Sequence, residues 1–154
     1  MLTAQLTKTQ KSQKGFTLIE LLVVIGILAI LLAIVLIAIN PARQFGQAND
    51  TRRQSDVTQV LNAIGAYEAD NAGQLPAGIP VSPTPAVDAS TVCSLIVPNY
   101  IPSLPVDPQV NNGAAFTACP TPGAGVSGYS VYQDGAGHVT VTATGTNGPI
   151  SNSR

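Results

Sequence analysis

The sequence predicts an α+β chain. A long N-terminal helix, half membrane-spanning and half amphipathic, packs through its second half on a small antiparallel β-sheet. Between Phe16 and Ile39 the residues are apolar and Glu20 is the only charge. At about 1.5 Å per residue that run makes roughly 36 Å of helix, enough for a ~30 Å hydrocarbon core. Further on, Val57, Val60, Leu61, Ile64 and Tyr67 fall at i, i+3, i+4, i+7 and i+10, one stripe of a helix. Beyond Ser127 the period drops to two, as in a half-buried sheet.

The first element in order is a polar, basic leader, residues 1–15. It carries Lys8, Lys11 and Lys14 and no acid. A general secretory signal would be cut after its apolar run, at small residues. Here the convincing cut lies before the run, so the run is kept. Lysines on the leader side favour a cytoplasmic N-terminus with the remaining chain outside.

Residues 16–40 form the membrane segment, interrupted inside only by Gly26. A carboxylate in a lipid-facing segment costs on the order of 2.5–3.5 kcal/mol at the bilayer centre and less near an end, so Glu20 needs a partner. A cut after Gly15 would make one. Phe16 would then carry a protonated α-amine one helical turn from Glu20, on the same face. Amine and carboxylate could pair within a chain, or between chains in a head-to-tail contact that builds an open filament. Asn40-Pro41 then offers a good N-cap and a favoured first helical residue. It reads as a break with a second helix beyond it, or as a bend in one continuous helix.

Residues 41–73 carry the amphipathic stripe, whose apolar side is the core face. Arg52 and Arg53 are expected on a solvated face, with Asp56 near for i, i+3 and i, i+4 pairs; the functional alternative is a contact between subunits. The helix should stop near Asn71-Ala72-Gly73, glycine being the usual left-handed residue after a C-terminus.

Residues 74–154 form the head. Four prolines between Gln74 and Ser90 forbid regular structure in the connection. Leu95-Ile96-Val97 is too short an apolar run to assign to helix or strand. Ser127–Gln133 and His138–Thr144 alternate and are joined by Asp134-Gly135-Ala136-Gly137 as a hairpin turn. Two strands alone are marginal, so a third is expected at Ala114–Ala118. The Gly-, Asn- and Ser-rich tail, 145–154, is expected to be loose.

Composition narrows the function. The chain has 154 residues and a formal net charge of −1. Without the leader, four arginines face the chain's eight acids. That balance does not supply the basic patch a nucleic-acid surface needs. A head of this size has a small core, where a disulfide or assembly usually helps. Cys93 and Cys119 are the two cysteines, and outside the cytoplasm such a pair suggests a bridge. Closing a loop of about 26 residues would contribute roughly 3.5 kcal/mol in the chain-entropy model. His138 is the one histidine, and no orienting partner for it is visible in the sequence. No phosphate-cradling glycine loop, hydrolase elbow or metalloprotease motif is present.

Gly15-Phe16-Thr17-Leu18-Ile19-Glu20-Leu21, after a short basic leader and before an apolar run, resembles the prepilin signal of type IV pilins and type II secretion pseudopilins. The resemblance implies cleavage between Gly15 and Phe16 by a membrane-embedded prepilin peptidase and N-methylation of Phe16. It implies that Glu20 guides assembly into a homo-oligomeric filament. It further implies an inner-membrane assembly platform, a cytoplasmic ATPase, no catalysis by the chain itself, and passage from the inner membrane to a periplasmic or extracellular filament. Tyr100, Leu104-Pro105 and Asp107-Pro108 are similar to a segment on pseudopilin heads. The commonest family pattern has a proline where this chain has Ile37, which puts in question the melting of helix that some assembled pili show, here between Gly26 and Pro41. Major pseudopilins hold calcium in loops corresponding to those of Asp88, Asp107 and Asp134, but no ligand run at EF-hand-like spacing is present. The residues themselves therefore predict no cofactor. The alternatives are a minor pilin of a DNA-uptake system and a membrane-anchored surface binding module that never polymerises.

Overall fold

The computed structural model describes residues 15–81, 86–121 and 127–154. The chain is α+β, as in the pilin fold: a long apolar helix, a second helix and a small four-stranded antiparallel sheet. It divides into two compact units, residues 1–41 and 42–154. The basic leader up to Lys14, and parts of the proline-rich connection and of the loop before residue 127, lie outside the described residues.

The first unit is built around α1, Leu18–Ile39. It is long and apolar enough to cross a membrane, and no residue along it is buried. Asn40 takes the left-handed conformation at φ 47° and ends it. A new helix, α2, starts at Pro41 and runs to Asp70. Asn40 and Pro41 thus interrupt the helix: one residue leaves the helical region, and the next has a ring that suits the first turn.

In the second unit α2 buries Val57, Val60, Leu61 and Ile64, with Tyr67 partly covered at the end of the stripe. Its C-terminus is closed by Ala72 and Gly73, both at positive φ, with the Gly73 N–H bonded to the Glu68 carbonyl at 2.9 Å. The chain returns through the two-residue strand β1, Val87–Asp88, a 3₁₀ turn and the short helix α3, Cys93–Ile96. Leu95 and Ile96 are therefore helical. The hairpin is β2, Tyr129–Gln133, and β3, Val139–Gly145. Its register sets Tyr129 opposite Ala143 and Val131 opposite Val141, all on the buried face. The core joins this face to the α2 stripe and to Val92, Cys93, Ile96, Ile101 and Leu104.

Three expectations fail here: the proline-rich connection ends in regular structure, since Val87–Asp88 beyond its last proline is β1 and pairs with β2. Ala114–Ala118 is not a strand, and the tail is not loose: Gly148–Ser153 is β4, paired along β3. The sheet order is β1-β2-β3-β4. With β1 on the free side of β2 and β4 on the free side of β3, no edge of the hairpin is left for residues 114–118. That segment instead runs to Cys119, which is bridged to Cys93 on α3 with a Cα–Cα separation of 5.6 Å. The bridge fastens the long segment between α3 and β2 onto the core.

Candidate functional site

The expected processing residues lie at the entrance to α1. Gly15 and Phe16 precede the helix in non-helical backbone, and Phe16 is 85% exposed. Thr17 is the N-cap, with extended φ and ψ. Its hydroxyl accepts from the Glu20 N–H at 3.3 Å, while Glu20 Oε2 accepts from the Thr17 N–H at 2.9 Å and from its hydroxyl at 2.8 Å. This is a reciprocal capping box, which satisfies two N–H groups that the helix start would otherwise leave without partners. The carboxylate also stands at the positive end of the helix dipole. Glu20 thus has a partner in the uncut chain before any α-amine exists. The spacing Thr17-x-x-Glu20 is the sequence signal for this box.

The head carries a second polar constellation, and it corrects the expectation for Arg53. That residue is not on a solvated face; it is 1% exposed. It lies four positions before Val57, so it continues the core stripe. Its Nε and Nη2 donate to the two Asp107 oxygens at 2.6 and 2.9 Å, its Nη1 to Asp50 at 2.8 Å, and Nη2 also to Gln109 at 2.7 Å. The Asp107 carboxylate raises the guanidinium pKa further, so Arg53 stays charged. Burial pushes the Asp107 carboxyl up, but Arg53 and the Gln109 N–H outweigh it and hold it below the usual carboxylate range. The Thr146 N–H does the same for Asp50. One turn on, Asp56 accepts from the buried Tyr129 hydroxyl at 2.7 Å. Burial, and then the Asp56 carboxylate, raise the phenol's pKa. Arg52 is partly exposed and donates to the Gly113 carbonyl at 2.9 Å.

The three loop carboxylates considered for calcium are not brought together. Asp88 accepts from the Ser90 N–H and from Ser127, Asp107 serves Arg53, and Asp134 serves its own hairpin turn. Among the described residues no three His, Cys, Asp or Glu side chains converge as metal ligands would. His138 does have an orienting partner: its Nδ1 lies 3.0 Å from Asp134 Oδ2 across the turn. The imidazole lowers the Asp134 pKa. Both side chains are exposed to solvent.

Residues 10–36 match the model of the prokaryotic N-terminal methylation motif. The chain carries the type IV pilin/pseudopilin signal. The methylation motif covers Gly15, Phe16, the capping box and most of α1, and it stops short of the head. No curated protein and no solved structure matches the chain. The motif therefore marks a pilin-like or pseudopilin precursor, and pilin-type chains are structural rather than enzymatic. The apolar α1 agrees with membrane anchoring.

Proposed function

We propose that the chain is the precursor of a structural subunit in a type IV pilus-like or pseudopilus filament. A prepilin peptidase cuts between Gly15 and Phe16 and methylates the new N-terminus. The subunit waits in the inner membrane through α1. An assembly platform with a cytoplasmic ATPase then draws it into a filament outside that membrane. The observation that carries this reading is the methylation motif laid over an exposed Gly15-Phe16 bond, with Glu20 four residues beyond it.

The mechanism is assembly. Once Phe16 has a free α-amine, Glu20 has two kinds of partner, its own Thr17 cap and an amine. An amine on a neighbouring chain competes with the cap and sets register by charge. In filaments the exposed apolar α1 surfaces bundle against one another. The deciding measurement is the intact mass and N-terminal sequence of the protein from its native membrane. A chain beginning at Phe16, about one methyl group heavier than its sequence, is expected. A chain still beginning at Met1, or cut after Ile39, would leave an anchored binding module or a secreted domain instead.

A further inference from the structure

The chain holds two Asn-Gly pairs, Asn112-Gly113 and Asn147-Gly148. An asparagine followed by glycine is prone to lose its side-chain amide, because a residue without a Cβ lets its own backbone nitrogen fold onto the asparagine side chain. The head treats the two pairs differently. The Gly113 N–H donates to the Val110 carbonyl at 2.8 Å, and the Gly113 carbonyl accepts from Arg52 at 2.9 Å. A Cβ at Gly113 would stand 2.9 Å from the Arg52 guanidinium and 3.2 Å from the Pro108 backbone, so this pair is both braced and crowded. Asn147 and Gly148 are exposed, where β3 turns into β4. Nothing lies within 4 Å of where a Gly148 Cβ would stand. Gly148 faces Gly145 in the last pair of the ladder, the end at which a hairpin frays first.

We propose that Asn147 is a site of spontaneous deamidation, and that the product loosens β4 from the head. When the last ladder pair opens, the Gly148 backbone nitrogen attacks Cγ of the Asn147 side chain. A C–N bond forms, the bond from Cγ to the amide nitrogen breaks, and ammonia leaves with the proton from Gly148. A succinimide ring remains, and water opens it. Attack at the side-chain carbonyl gives aspartate; attack at the backbone carbonyl gives isoaspartate, in which the chain runs through the former side chain. Nothing is oxidised or reduced, and water is the only co-reactant.

The product matters because of what holds this turn. The Thr146 N–H donates to the two Asp50 oxygens at 2.9 and 3.1 Å, and the Thr146 hydroxyl reaches the Gly46 carbonyl at 3.4 Å. These bonds fasten the turn to α2. Asn147 lines the same groove as Asp50, so a carboxylate at 147 sets a second negative charge near the one that holds Thr146, and the two repel. Isoaspartate also inserts a backbone carbon beside the Gly145–Gly148 pair. The strand has little else to resist this: no residue of β4 is buried, and Ile150 is only partly packed on the core.

The full chain, purified in detergent, is incubated at mildly alkaline pH, sampled over days and digested with chymotrypsin. Cleavage after Phe116 and Tyr132 separates Asn112 from Asn147, and fragmentation distinguishes Asn147 from Asn152. The mass gain of amide-to-acid conversion should grow with time at Asn147, divided between aspartate and isoaspartate, while Asn112 keeps its amide. No gain at Asn147, or an equal rate at Asn112, overturns the assignment. A second arm needs no ageing. Asn147→Asp should raise hydrogen exchange across 148–153 several-fold over the parent and leave exchange at 57–64 in α2 unchanged. Exchange in β4 equal to the parent's, or raised equally throughout the head, overturns the loosening of β4.

Discussion

The two units dispose of apolar surface in opposite ways. The first leaves its apolar helix open: every residue of α1 is exposed, and a capping box organises the polar groups at its start. The second encloses a core between α2 and the sheet, and it also buries an arginine with carboxylates from α2 and from the loop at Asp107. The first unit is therefore finished only by something outside the chain, lipid or other copies. The second is finished by itself. A substitution at the entrance to α1 should change assembly with little effect on folding of the head, and a substitution in the head's core should change its folding. The sharpest way to break this contrast is Glu20→Ala. Filaments should disappear from electron micrographs, while urea unfolding of the detergent-solubilised head stays unchanged. A head destabilised by this substitution, or normal filaments, would mean that the units do not divide the work in this way.

Arg53 tests the other side. Removing one partner of a buried pair leaves the other charge uncompensated, at a cost of about 3–5 kcal/mol. Arg53→Met should lower head stability by that order in urea, and Arg53→Lys should recover only part of it, since an ammonium cannot reproduce the two-pronged contact with Asp107. The pH dependence should change sign. In the native head Asp107 and Asp50 have depressed pKa values. Their contribution is present above the ordinary aspartate value near 3.8 and is lost as pH falls through the depressed values. Without the guanidinium, burial, the largest influence on Asp107, is opposed only by the Gln109 N–H and the Arg52 charge, and its pKa rises. The variant should then be more stable near pH 4.5 than at pH 7, whereas the parent shows no such gain. Unfolding midpoints at the two pH values decide it.

The disulfide should come next. Cys93→Ser with Cys119→Ser removes the closure of a loop with a sequence separation of 26, about 3.5 kcal/mol in the chain-entropy model and often less in practice. Proteolysis should then cut first between α3 and β2, where regular structure is sparse and the bridge is the covalent fastening. Cutting elsewhere in the head would show that the core at Ile101 and Leu104, not the bridge, holds that segment.

What could be read from the sequence follows the same division. The apolar run, the α2 stripe and the β2–β3 hairpin all have strong local periodicity or turn chemistry, and the structure has them close to the expected bounds; at Asn40-Pro41, where the sequence left a break and a bend open, the structure has a break. The cysteine pair was legible because a small head with two cysteines leaves few alternatives. The β4 strand was not. As an edge strand it needs few apolar side chains, and Gly148, Pro149, Ser151 and Ser153 have the composition of a loop. Ala114–Ala118 misled for the opposite reason, since its apolar residues suggested a strand although both sides of the hairpin are taken by β1 and β4. The charge of Arg53 argues for solvent, and its position along α2 argues for the core. Extending the Val57 stripe back by four residues would have put it on the core face, where its partners come from Asp50 three residues before it and from Asp107 more than fifty residues away. The first partner was within reach of the sequence and the second was not.

Thr17 should give the smallest effect and the finest distinction. If its only task is to cap α1, Thr17→Ala costs about 1 kcal/mol of local helix stability, and Thr17→Ser recovers most of it. A helix held in lipid tolerates that loss, so insertion and cleavage after Gly15 should proceed at normal yield. Assembly is the more sensitive readout. In the uncut chain Thr17 occupies Glu20 through both its N–H and its hydroxyl. Alanine removes the hydroxyl but keeps the N–H, which frees part of the carboxylate for a neighbour's α-amine. If cap and amine compete, the alanine variant should therefore form filaments at least as fast as the parent under limiting expression. If it assembles more slowly, the hydroxyl holds Glu20 in the orientation that the incoming amine needs, and the cap is part of the assembly contact instead of its competitor.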